Sequence, residues 1–125
     1  MKKIAVLGGG QVGASVAKIL TDDGNDITLV DNNASVLEDL QEDNDIKTIQ
    51  GNASSPSVLN QVELSDCDIL IATTASDEVN LVSCHLAKKM FNVPNVIARL
   101  RNAEYREKTS DFNLDLFSID SIISP

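Results

Sequence analysis

The sequence predicts an α/β fold: a Rossmann-like, doubly wound parallel sheet with strand order 3-2-1-4-5-6. Three observations predict it. Short apolar runs alternate with amphipathic stretches along the whole chain. The first run, Ile4 to Leu7, leads straight into Gly8-Gly9-Gly10-Gln11-Val12-Gly13. The second, Ile27 to Val30, ends on Asp31, which follows Gly13 by 18 residues. Glycines at 8, 10 and 13 between a strand and a helix, with an acid at that distance, form a dinucleotide-fold signature.

Each element has a local reason. Ile4 to Leu7 is short, apolar and ended by glycine, as expected of a strand buried on both faces. Val12 to Leu20 carries apolar residues at 12, 16, 17, 19 and 20, which is helical spacing, and Thr21 to Asn25 stops it. Ile27 to Val30 reads as the second strand. Ser35 to Gln41 is helical through Val36, Leu37 and Leu40, and Ile46 to Ile49 is a third strand ended by Gly51-Asn52. Ser55-Pro56 opens a short helix, with proline at a favourable first-turn position.

Ile69 to Ala72 is the fourth strand and Thr73 to Ser76 a loop. Ser76 is the expected N-cap of a helix running to about Phe91, with Asp77 and Glu78 in its first turn. Val96 to Leu100 is the fifth strand and Ala103 to Lys108 a short helix. Leu114 to Phe117 alternates like a sixth strand, followed by a closing segment, Ile119 to Ile123. Residues 1–125 thus read as one nucleotide-binding domain. Ordered-looking sequence up to Ser124 suits an N-terminal domain of a longer protein.

Composition narrows the function. With 42% hydrophobic residues and few aromatics, the chain can bury an aliphatic core. Nineteen acids against ten Lys and Arg give a net charge of −9. That argues against nucleic acid, whose binding rests on basic residues neutralising phosphates. Cys67 and Cys84 form no metal-ligand spacing with His85, so no metal site is expected, and reduced structural thiols suit the cytosol. The apolar run after Met1-Lys2-Lys3 is too short for a signal peptide, and none approaches the ~20 residues of a membrane helix.

The motifs place candidate ligand contacts. Gly8 permits a sharp turn off the first strand, Gly10 lets backbone approach phosphate oxygens, and Gly13 allows close helix packing. The helix beginning near Gly10, Gln11 and Val12 directs free amides and its positive dipole end at the ligand. Asp31 accepts from ribose hydroxyls, and no Arg or Lys from Asn32 to Ser35 stands ready for a 2′-phosphate, which disfavours NADP. Asn52, followed by Ala53, belongs near the adenine end; the competing reading is an ordinary turn. Thr73, Thr74 and Ser76 offer hydroxyls to phosphate or ribose. Asp77 and Asn80 either orient that loop, touch the ligand, or simply cap the helix. Arg99 and Arg101, two apart at the end of strand five, suit phosphates or carboxylates; the competing reading is a surface pair offsetting acids.

No catalytic residue is assigned. His85 sits between Val82 and Leu86 in the fourth-strand helix, and Tyr105 precedes Lys108 one residue too closely for a Tyr-x-x-x-Lys pair. Nicotinamide chemistry needs groups not visible here.

Several blocks are more specific than the glycines: I-A-V-L-G-G-G-Q-V-G, L-V-D at Asp31, G-N-A-S at Gly51 to Ser54, A-T-T-A-S-D-E-V-N at Ala72 to Asn80, A-R-L-R at Ala98 to Arg101, and the closing I-I-S-P. Together they resemble the N-terminal, RCK/KTN-type domains of Trk potassium-uptake regulatory subunits (TrkA). The resemblance implies a cytoplasmic, non-enzymatic domain that binds NAD(H) or ATP/ADP. It implies a homodimer or higher ring held at the inner membrane face by a potassium channel or transporter subunit. It also places Gly8, Gly10, Gly13 and Asp31 in the nucleotide site, Arg99 and Arg101 at the phosphates, and Thr74 and Asp77 on the strand-four loop. Asn52 stands where many members carry an acid. The alternatives are an NAD-dependent oxidoreductase fragment lacking its substrate domain, or a nucleotide sensor of another transporter or exchanger.

Overall fold

Along the chain the elements are β1 (Lys3–Leu7), α1 (Gln11–Asp22), β2 (Asp26–Asp31), α2 (Ala34–Asp43), β3 (Lys47–Gln50), α3 (Pro56–Gln61), β4 (Ile69–Ala72), α4 (Asp77–Lys89), β5 (Asn95–Arg99), α5 (Ala103–Arg106) and β6 (Ser121–Ile123). The computed structural model describes residues 1–43, 45–107 and 112–123. The strands form one parallel sheet in the order β3-β2-β1-β4-β5-β6, as the sequence predicts.

Side-chain alternation builds a core on each face. From β1, Ile4 and Val6 pack with Ala17 of α1 and with Leu37 and Leu40 of α2. Ala5 and Leu7 face the other way, onto Leu59 of α3 and Leu81, Cys84 and Ala87 of α4. Because β1 is buried on both sides, its sequence is a continuous apolar run. Pro56 stands at the start of α3, where its missing N–H costs nothing.

Two readings need correction. Leu114–Phe117 is a 3₁₀ turn, and the sixth strand is Ser121–Ile123, inside the closing segment. The L-D-L-F alternation mimics a strand, but the Asn113 side chain accepts the Asp115 amide at 2.9 Å and starts a turn instead. Ser118, at φ 60°, ends it in the left-handed region. Strand β5 also ends at Arg99, so Arg101 lies in the loop beyond it and not on the strand. Of the predicted helix over 103–108, Ala103–Arg106 is helical and Lys108 lies outside the described residues.

Candidate functional site

Strand register sets the site. Leu7 pairs with Val30 on one side and Ala72 on the other, so Gly8, Asp31 and Thr73 leave the sheet at one level. Asp31 pairs with Gln50, and Ala72 with Ala98, which brings Gly51 and Arg99 to the same rim. This rim lies at the carboxyl ends of the strands, where the sheet order reverses. A cleft of about 520 Å³ opens there.

One wall is the glycine loop. Gly8, at φ +98°, turns the chain off β1 in a conformation that L side chains rarely adopt. A Cβ on Gly13 would stand 1.8 Å from the Gly8 carbonyl oxygen, so α1 crosses its own loop in near contact. At Gly10 a Cβ would meet nothing within 4 Å, because that position faces the open cleft. Gly10 is the N-cap of α1 and has no side chain to cap it, and no acid lies in the first turn. Among the described residues, the amides of Gln11, Val12 and Gly13 have no acceptor. They form an electropositive helix end, of which Gln11 and Val12 line the cleft.

Asp31 stands at one end of the cleft beside Asn32. Its Oδ2 accepts the Gly9 amide at 2.7 Å and its Oδ1 the Asn33 amide at 2.8 Å. Each oxygen keeps a lone pair for a further donor. Asn52 and Ala53 also line the cleft. The Asn52 Oδ1 is engaged by the Ser54 amide and hydroxyl, both at 2.9 Å.

The arginines stand at the other end, and both line the cleft. Arg99 is half-buried, and its Nε is buried without a hydrogen-bond partner. Among the described residues neither arginine forms an ion pair; those present are Lys3–Glu63, Lys47–Asp26 and Lys88–Asp120. A buried, unpaired guanidinium N–H is costly unless an acceptor arrives.

The loop after β4 differs from expectation. Thr73 and Thr74 line the cleft, but their hydroxyls serve the fold. Thr73 Oγ1 donates to the Leu7 and Gly8 carbonyls, at 3.0 and 3.2 Å. Thr74 Oγ1 lies 2.7 Å from Asn80 Oδ1. Ser76 caps α4 by accepting the Val79 amide at 3.1 Å. Asp77 does not line the cleft. It is buried, and its oxygens accept the Arg101 and Asn102 amides at 2.9 and 2.8 Å. Gly13 likewise acts through packing, behind the lining.

Residues with catalytic potential lie elsewhere. His85 packs edge-on against Phe117, with ring centroids 6.2 Å apart. The nearby Glu78 carboxylate raises the pKa of the Tyr105 hydroxyl. Burial pushes the Cys84 thiol up to about 12. Among the described residues, the titratable side chains lining the cleft are Asp31, Arg99 and Arg101.

The sequence profile of the TrkA-N domain matches residues 4–125. The chain belongs to the TrkA-N family. This TrkA-N domain is 49% identical to the Trk system potassium uptake protein TrkA of Haemophilus influenzae and 44% identical to that of Vibrio alginolyticus, in each case over 98% of the chain. It spans 27% of the length of either relative. Among solved structures, the TrkA-N domain of inner membrane protein ybaL from Escherichia coli superposes with a TM-score of 0.84 at 14% identity, covering 98% of this chain and 87% of that one. The GsuK channel bound to NAD gives 0.80 at 17% identity, covering 98% and 21%. GsuK bound to ADP gives 0.77 at 22%, covering 98% and 30%. At these identities the structures share the fold.

Two residues of this TrkA-N domain carry weight that the motif spacing does not reveal. Gly9 packs beneath α2, where a Cβ would stand 2.6 Å from Val36 Cγ1, and it gives its amide to Asp31. Val79 lines the cleft from the first turn of α4. An apolar residue at that helical position reads from sequence as core.

Proposed function

We propose that this domain is a cytoplasmic regulatory module that binds an adenine nucleotide, NAD(H) or ATP/ADP, and thereby controls a membrane potassium channel or transporter. The observation that carries the reading is the pairing of unmet donors across one cleft. The uncapped start of α1, at Gln11 and Val12, lines the same cleft as Arg99, whose buried Nε has no partner. Phosphate oxygens satisfy both, and Asp31 stands ready for a ribose at the opposite end. The acidic surface opposes anions generally, so these local groups must supply the attraction.

Relatives support the transport half of the reading, since they are named Trk system potassium uptake proteins. Solved neighbours of the same fold are a channel bound to NAD and a form bound to ADP. The lining supports binding over hydride chemistry, because its titratable groups are one carboxylate and two arginines. Control then works by population shift: ligands that differ at the phosphate end engage the arginines differently, and only differential binding biases a gate. The domain acts at the inner membrane face as a homodimer or larger ring beneath its membrane partner.

Calorimetric titration with ATP, ADP, AMP, NAD⁺, NADH and NADPH tests the nucleotide half. Binding of adenine nucleotides and NAD(H), with NADPH excluded, is the expected result. Tight binding of nicotinamide cofactors alone would move the reading to an oxidoreductase fragment.

A further inference from the structure

The first turn of α4 grips both lips of the phosphate end. Asn80 is fully buried, and its Oδ1 accepts from the Thr74 amide at 3.0 Å. Its Nδ2 donates to the Thr74 carbonyl at 3.1 Å and to the Arg99 carbonyl at 2.8 Å. Three residues earlier in the same turn, Asp77 receives the amides of Arg101 and Asn102. Those residues begin the loop that follows β5, 24 and 25 positions further along the chain. Asp77 is 9% exposed and is not itself among the residues lining the cleft, whereas Arg101, whose amide it holds, is.

A carboxylate that accepts two successive amides fixes the direction of the backbone between them. The Arg101 side chain is itself exposed, so its reach depends on where that backbone stands. Arg99 is held separately, through its carbonyl, by Asn80. The two arginines are therefore aimed from different residues of one helical turn.

We propose that Asp77 is a positioning residue for the polyphosphate end of the ligand: by holding the Arg101 and Asn102 amides it aims Arg101 at the second and third phosphates, and so sets the preference for ATP and ADP over AMP. The proposal rests on the nucleotide reading above. It assigns Asp77 no contact with the ligand. Loss of this aim weakens ligands in proportion to the phosphates that Arg101 reaches, and leaves the ribose and adenine contacts in place.

The test is titration of this chain, as wild type, Asp77→Asn, Arg101→Ala and the double variant, with ATP, ADP and AMP. Asparagine keeps the shape but turns an NH₂ towards one of the two amides. In the wild type ATP binds more tightly than AMP. Asp77→Asn lowers the ATP affinity about tenfold and the AMP affinity less than about twofold. In the Arg101→Ala background it changes the ATP to AMP ratio no further, because the group it aims is gone. A folded Asp77→Asn protein with an unchanged ratio, or with a ratio loss that adds fully to that of Arg101→Ala, overturns the proposal. A wild type that binds no adenine nucleotide removes the nucleotide reading itself, and this one with it. Should Asp77→Asn fail to fold, amide exchange on the wild type decides. Protection of the Arg101 and Asn102 amides before any nucleotide is added supports a preset lip. Free exchange that slows only with ATP overturns it.

Discussion

The Asp31 carboxylate accepts the Gly9 amide at 2.7 Å, so the residue proposed to read the ribose also fixes the glycine loop. Its second oxygen accepts the Asn33 amide, which ties the same carboxylate to the start of α2. Two amides thus hold this carboxylate from both sides.

Asp31→Ala is expected to act on stability and on binding together. Losing two charge-assisted bonds at a half-buried position lowers stability by about 1–3 kcal/mol. ATP, ADP, AMP and NAD⁺ should lose affinity by similar factors, because all present the same ribose. Thermal melts and calorimetry on one preparation read both effects. A variant that regains no NADPH binding while losing the others would show that the loop anchor matters as much as the charge. Selective loss of one nucleotide would place Asp31 elsewhere than at the ribose.

Gly10 and Gly13 offer a separation of binding from folding. Gly13→Ala puts a Cβ within 1.8 Å of the Gly8 carbonyl and 2.6 Å of Thr73 Oγ1. Backbone cannot yield as a side chain does, and a cost of about 3 kcal/mol or more is expected. Gly10→Ala meets nothing within 4 Å, and its φ of −69° suits any residue. Its stability should change by less than about 0.5 kcal/mol. On the proposed reading the methyl would stand where phosphate oxygens approach the α1 amides, so nucleotide affinity should fall about tenfold or more. Unchanged binding by a folded Gly10→Ala protein would take the phosphate away from that helix end.

Much of this was legible in the sequence because doubly wound sheets write themselves plainly. A strand buried on both faces must be a continuous apolar run, and Ile4 to Leu7 and Ile69 to Ala72 are such runs. Parallel pairing then brings Gly8, Asp31, Thr73 and Arg99 to one rim without further information. What stayed hidden depends on partners distant in sequence. Nothing near Asp77 says that it holds amides 24 residues away, and nothing near Thr73 says that its hydroxyl turns back to β1. Leu114 to Phe117 misled for the opposite reason. There a local bond from the Asp115 amide to Asn113 outweighs the alternating pattern.

Both thiols should be inert in the folded protein. Burial pushes Cys84 up to about 12, with Asp120 adding to the effect, and Cys67 up to about 11 despite nearby Lys3. At pH 8 the Cys84 thiolate is then only about one part in ten thousand. A disulfide reagent should react with neither thiol in native buffer and with both in denaturant. The linkage has a definite sign. The folded chain holds these protons more tightly than the unfolded chain, so the contribution is complete below the ordinary thiol value of 9.0 and is lost as the pH rises from there towards 12. Stability measured by denaturant titration should therefore fall across that alkaline window. Rapid native labelling of either cysteine at pH 8 would contradict the burial.

Arg99 gives the sharpest trade between stability and binding. Its Nε is buried and unpartnered, so the free protein bears a cost for holding it there. Arg99→Met keeps most of the apolar stem and removes the unsatisfied group. Stability without ligand should be unchanged or raised by up to about 1 kcal/mol. ATP affinity should fall about ten- to a hundredfold, since a charge-assisted contact is worth roughly 1.5–3 kcal/mol. Arg101 is exposed, so Arg101→Ala should leave stability within about 0.5 kcal/mol and weaken ATP more than AMP. The two losses should shrink as ionic strength rises, more for the exposed Arg101 than for the half-buried Arg99. Equal losses of ATP and AMP would remove either arginine from the phosphate end. A marked drop in the melting temperature of Arg99→Met without ligand would show instead that its guanidinium holds the fold, and that the cleft is not waiting for an anion.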